Sequence, residues 1–199
     1  MILSTNASWE SFDQESQNLW QPVTNSAAFV EEATQEQLPR DWIVFANLRY
    51  HYRLSYPPTA SPGSVDQKVP ASQSDVIFIP IDPQSDPIYI CAADNNNGWS
   101  SEEFFIHWKD NPPRSGSAQF QCADYPSYSR WRESPITISG LPALEVVSFR
   151  GRYESVCSYV AVKKVMLAAC LPAENPKGQK WEGHLHVYRE IVSSIRMSG

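Results

Sequence analysis

Ser155-Val156-Cys157-Ser158-Tyr159-Val160-Ala161-Val162, then Lys163-Lys164, then Val165-Met166-Leu167-Ala168-Ala169-Cys170-Leu171 is the stretch on which the fold turns. Two β-rich runs joined by two residues leave no room for a crossover, so they fold back as an antiparallel hairpin. Lys-Lys itself lacks the positive-φ preference of a tight primed turn. With the tip at Lys163-Lys164, opposed residue numbers total 327, which sets Cys157 opposite Cys170. Two such cysteines are close enough to bridge if their pair is of the non-hydrogen-bonded kind.

Upstream of the hairpin, Pro135-Ile136-Thr137-Ile138-Ser139 leads through Gly140-Leu141-Pro142 into Ala143-Leu144-Glu145-Val146-Val147-Ser148-Phe149, giving a meander. Earlier still, Tyr50, Tyr52, Leu54 and Tyr56 alternate with His51, Arg53 and Ser55, the period-2 pattern of a half-buried strand. Pro57-Pro58 ends it. The sequence then predicts a long loop over 57–74 and strands near 75–81 and 87–92, joined by the turn-rich Asp82–Asp86. Ser100 and Glu103 form a capping box for a short helix carrying Phe104, Phe105 and Trp108, which Pro112-Pro113 stops. A short strand is expected around Phe120. A closing helix over 181–197 places Leu185, Tyr188, Ile191, Val192 and Ile195 on one stripe. Without βαβ alternation, these pieces predict an α+β fold in which one antiparallel sheet, with further strands near 42–46 and 49–56, is flanked by helices.

Composition narrows the function classes. The chain has 199 residues, 16 Lys+Arg against 22 Asp+Glu, a net charge of −6 and a pI near 5.2. That balance argues against a nucleic-acid groove or a polybasic membrane patch. With 42% apolar and 12% aromatic residues a real core is available. No stretch reaches the length of a membrane span. Residues 1–39 hold six carboxylates and no Lys or Arg, so the whole net charge sits there and 40–199 are neutral. This segment, rich in Ser, Asn and Gln, reads as an acidic flexible linker, either a solvated tail or a binding arm, with a short helix over 26–38 closed by Pro39. The domain itself is expected over 40–199.

The order of pieces resembles a family. The Trp42-led entry, Tyr50-His51-Tyr52-Arg53-Leu54-Ser55-Tyr56-Pro57-Pro58, Ile138-Ser139-Gly140-Leu141-Pro142-Ala143, the hairpin and the closing helix are similar to PsbP-like and DcrB-like domains. The resemblance covers about 40–197 and implies the Mog/PsbP fold, an α/β/α sandwich of antiparallel sheet between helices. Three features depart from the family pattern: the long loop after Pro58, the four cysteines, and the lack of a strand after the last helix. The resemblance implies non-catalytic, extracytoplasmic binding or assembly work through protein partners, such as extrinsic support of photosystem II. Met1-Ile2-Leu3 carries no basic start or apolar core of a signal peptide. Either the protein works in the cytosol as an adaptor, or an export segment or lipid tether lies upstream and it works in a periplasm, lumen or cell surface. An acidic linker before a domain favours the second.

Candidates for chemistry are few. His184-x-His186 would share a strand face as a metal pair, but at a helix start the two diverge, and both are expected to be exposed. His51 and His107 stand alone among aromatics. No nucleophile elbow, phosphate loop or zinc-protease motif occurs. Asp82/Asp86 and Glu102/Glu103 are explained by a turn and a helix cap. Neither catalytic residues, cofactor nor metal is assigned, and the alternative is a small hydrolase or metal-dependent enzyme with an unrecognised site. Four cysteines allow three pairings; if Cys157 pairs with Cys170, Cys91 and Cys122 remain for each other. The alternative is four reduced, buried thiols. For a partner surface, the candidates are the 57–74 loop and the stretch Tyr125–Arg132, with Tyr128, Arg130 and Trp131 combining aromatic and guanidinium groups. The alternative for Trp131 is a plug in the open end of the sheet.

Overall fold

In the computed structural model the central hairpin is longer than its apolar runs, because strand pairing extends past them on both arms. β8 (Tyr153–Val162) and β9 (Val165–Glu174) pair antiparallel with Val162 opposite Val165 and Cys157 opposite Cys170. Lys163 accepts φ +21° to make the turn. The structure describes residues 41–111, 122, 130–174 and 180–197. The acidic segment 1–39, the helix expected over 26–38 and the strand expected around Phe120 lie outside the described residues.

Among the described residues the fold is α+β with antiparallel pairing throughout, in two sheets. The expectation of one sheet is corrected. β3 (Gly63–Ser64), β4 (Val76–Ile79), β5 (Ile88–Asp94), β6 (Arg130–Ile138) and β7 (Leu141–Arg150) join the hairpin in the order β3-β4-β5-β9-β8-β7-β6. β1 (Ile43–Asn47), β2 (Tyr52–Tyr56) and β10 (Arg196–Met197) form a separate sheet in the order β1-β2-β10. Period-2 patterning marks a strand but carries nothing about which sheet it joins. β10 also corrects the expectation that no strand follows the last helix. Its two residues are too short to show a pattern, and they pair with Arg53 and Tyr52.

The two faces of the seven-stranded sheet carry different layers. Helix α1 (Ser101–Asp110) starts at the capping box, with the Ser100 hydroxyl accepting from Glu103 N–H and the Glu103 carboxylate accepting from Ser100 N–H. It buries Phe104, Phe105 and Trp108 against Val76, Val146, Tyr159 and Ala168. Phe104 meets Tyr159 edge-on at 5.5 Å. Helix α2 (Trp181–Ser194) covers the other face and also meets the small sheet. Its buried stripe is Trp181, His184, Tyr188, Ile191, Val192 and Ile195, with Leu185 half-buried. That stripe begins a turn earlier than the periodicity of Leu185 suggested. Tyr188 is fully buried, and its hydroxyl donates within a pair of bonds to Ser158 Oγ (2.8 Å) and the Ala169 carbonyl (3.0 Å). The small sheet is fastened by Ser55 N–H donating to Ser194 Oγ at 2.8 Å.

The 57–74 connection is partly built structure. β3 lays Gly63 opposite Phe78, a 3-10 turn occupies Ala71–Gln73, and Ser64 Oγ lies 2.8 Å from Ser74 Oγ. Asn47, 1% exposed, ties it to β1 by donating to the Ser74 carbonyl at 2.9 Å.

Candidate interaction surface

β6 starts at Arg130, five residues before the apolar run that announced it. An edge strand has one partner only, so its entry needs no apolar alternation. The register then fixes what this edge offers. Ser139 (φ +55°) and Gly140 (φ +75°) make the two-residue turn between β6 and β7, a left-handed pair that suits a primed hairpin turn. Ile138–Leu141 is therefore a hydrogen-bonded pair, and the pairs alternate along the ladder. Arg130, Arg132 and Ser134 spend their backbone groups on β7. Trp131, Glu133, Pro135 and Thr137 turn theirs outward. Pro135 has no N–H, and its outward nitrogen is where an edge strand tolerates proline.

Arg130, Trp131, Arg132 and Glu133 are all exposed, Trp131 by 43%. Trp131 therefore does not plug the end of the sheet. Its indole N–H donates to Glu133 Oε1 at 2.9 Å, and Lys109 Nζ stands 5.1 Å from its ring centroid. Both contacts hold the ring on the α1 side of the strand. Arg130 and Arg132 share the other side, and among the described residues neither has an ion-pair partner. Tyr128 lies outside the described residues. A second exposed apolar group, Ile43, Val44 and Leu48, sits on and just after the edge strand β1.

The cysteines meet on the α1 face. Counting from Val162–Val165, Cys157–Cys170 is a non-hydrogen-bonded pair, the kind whose side chains stand closest. Its Cα atoms are 4.1 Å apart and the two are joined as a disulfide. Cys91 on β5 is joined to Cys122, Cα–Cα 6.0 Å. The bridges are neighbours: Cys170 Sγ lies 3.8 Å from the Cys122 carbonyl oxygen, and Cys122 Sγ 3.7 Å from that of Ala168. All four cysteines are buried, between 0% and 4% exposed, so solvent reductants have no direct path to them.

The histidines part company. His186 is exposed, but His184 is 8% exposed, which corrects the expectation of two exposed rings. Its helical position three after Trp181 turns it inward. His184 Nε2 is 4.0 Å from Asp82 Oδ2, which Lys180 Nζ meets at 2.7 Å. The Lys180 ammonium and the Gln84 N–H hold the Asp82 carboxyl below the usual carboxylate range. This trio ties the β4–β5 connection to the start of α2. His107 stacks on Trp99 at 4.1 Å, and exposed His51 takes φ +52° in the β1–β2 turn. Among the described residues no three His, Cys, Asp or Glu side chains gather as a metal site. Near the small sheet, Tyr50 donates to Asp75 Oδ1 at 3.2 Å, and Arg49 pairs with the same oxygen at 2.5 Å. Burial, reinforced by the Asp75 charge, pushes the Tyr50 phenol up to about 12.

No protein-family model matches the sequence, and no curated protein matches it. Among solved structures, the solution structure of cyanobacterial PsbP (CyanoP) from Synechocystis sp. PCC 6803 matches with a TM-score of 0.48 and 10% identity, covering 84% of this chain and 98% of that one.

Proposed function

We propose that this chain is a non-catalytic binding or assembly-factor domain of the PsbP/DcrB type that works outside the cytoplasm through a protein partner. The observation that carries the reading is the exposed Trp131 between Arg130 and Arg132 on an edge strand. Aromatic and guanidinium side chains together make the anchors of protein interfaces, and an edge that pairs with no further strand among the described residues adds backbone donors and acceptors. The ring is tied down by Glu133 and Lys109 before any partner arrives, so little ordering entropy opposes binding. Two buried disulfides support an oxidising compartment, because cytosolic thiols are kept reduced. The order of the sequence motifs over 40–197 supports the PsbP/DcrB type.

The test is affinity capture from native extract with wild type and Trp131→Ala, each checked by thermal melting. Trp131 contributes little to the core, so the variant should melt within about 2 °C of wild type. A partner recovered by wild type and lost by the variant supports the reading. Equal recovery by both, or a large drop in melting temperature, refutes it.

A further inference from the structure

Resting on that reading, we infer the binding mode and the partner's chemistry: the β6 edge takes an extended acidic segment by strand addition, over Arg130–Ser134 only. Outward donors and acceptors exist at Trp131 and Glu133, and the row of donors breaks at Pro135. An added strand can therefore bond fully only on the Arg130–Ser134 side of that proline. Proline at this place blocks long edge-to-edge pairing while leaving a short docking step.

Side-chain alternation then sets the partner's sequence. Residues of the added strand opposite Arg130 and Arg132 lie on one face, two apart, where carboxylates meet two guanidinium groups that have no ion-pair partner among the described residues. The residue between them faces the Trp131 ring and is best apolar. The predicted segment reads carboxylate–apolar–carboxylate in extended form. Lys109 beside Trp131 and Arg152 in the β7–β8 turn add positive charge at the same end of the sheet, outnumbering the carboxylates of Glu133, which accepts from the indole, and of Glu154, which lies across β7 from Arg130. A positively charged edge steers an acidic segment and repels a basic one.

The probe is a fluorescent peptide, Thr-Thr-Glu-Val-Glu-Thr-Thr, titrated by anisotropy against the oxidised full chain. The control peptide has Lys in place of both Glu. We expect binding of the acidic peptide only. Glu133→Pro removes one outward donor, together with the carboxylate that holds the Trp131 indole, without touching a β6–β7 bond, and should weaken binding about tenfold relative to Glu133→Ala, which loses the carboxylate but keeps the donor. Pro135→Thr restores the missing donor and should tighten binding of a peptide lengthened at that end by about fivefold. Melting temperatures report whether each variant stays folded.

Equal binding of acidic and basic peptides overturns the charge assignment. Unchanged binding with both Glu133→Pro and Pro135→Thr overturns strand addition. If Trp131→Ala loses the captured partner while Glu133→Pro keeps it, the surface stands and strand addition falls. If Trp131→Ala keeps the partner, the surface itself falls. A concentration-dependent dimer abolished by Glu133→Pro, without peptide binding, would make a second copy the occupant. Selective binding of a peptide spanning Trp9–Glu15 would give the edge to the chain's own acidic segment.

Discussion

Removing the disulfides one at a time tests how the domain is held together. Cys91–Cys122 spans a sequence separation of 31 and Cys157–Cys170 one of 13. Loop-closure entropy in the unfolded chain makes the first worth about 3.7 kcal/mol and the second about 3 kcal/mol. For a domain of this size each kcal/mol moves the midpoint by about 2–4 °C. Cys91→Ala/Cys122→Ala should therefore melt about 11 °C lower and Cys157→Ala/Cys170→Ala about 9 °C lower. Each pair loses the same two sulfur atoms from the same buried face, so that cost does not alter the order. The bridges touch, so the quadruple variant need not sum. Its loss of about 6–7 kcal/mol is still comparable with the whole stability of an ordinary domain, about 5–15 kcal/mol. The assay is calorimetry on the oxidised protein and the three variants. Both pair variants melting within about 2 °C of wild type, or melting in the reverse order, would show that loop closure is not what these bridges contribute.

Three further outcomes follow from individual groups. Tyr188→Phe leaves Ser158 Oγ and the Ala169 carbonyl without the phenol and should cost about 1–3 kcal/mol by urea denaturation, with the m-value unchanged. The folded-state pKa of Tyr50 is raised to about 12 from its ordinary 10.0, so its contribution is complete below pH 10.0 and is lost as pH rises towards about 12. Tyr52 is also raised, chiefly by burial; tyrosinate absorbance should show both phenols ionising only as the fold opens. Asp82 is lowered, so its contribution is present above the ordinary 3.8 and is lost as pH falls through the folded value. Asp82→Asn should flatten that acid limb in a melting series across pH.

What the sequence could disclose depended on how local the determining interaction is. The facing of Cys157 and Cys170 is legible because a two-residue connector leaves one register. The cap of α1 is legible because Ser100 and Glu103 are three residues apart and meet through bonds of their own turn. The first half of β6 is not, because Arg130–Ser134 carries neither apolar alternation nor turn chemistry and is held as strand by β7. Nor is the split into two sheets, which rests on β2 meeting β10 from the far end of the chain. The inward turn of His184 had a signal: Trp181, His184, Tyr188, Ile191 and Ile195 continue one helical stripe, and starting it at Leu185 hid the first turn. The outward donors of Trp131 and Glu133 follow only from combining the Ser139-Gly140 turn with the strand register.

Amide hydrogen exchange in the oxidised full chain, with and without the acidic peptide, tests the β6 docking edge most directly. The Trp131 and Glu133 amides, turned away from β7, should slow by at least about tenfold when the peptide binds. Arg130 and Arg132, already bonded to β7, should change little. Unchanged exchange at Trp131 and Glu133, with new protection along Ile43–Asn47 instead, would contradict docking at β6 and move the docking edge to β1.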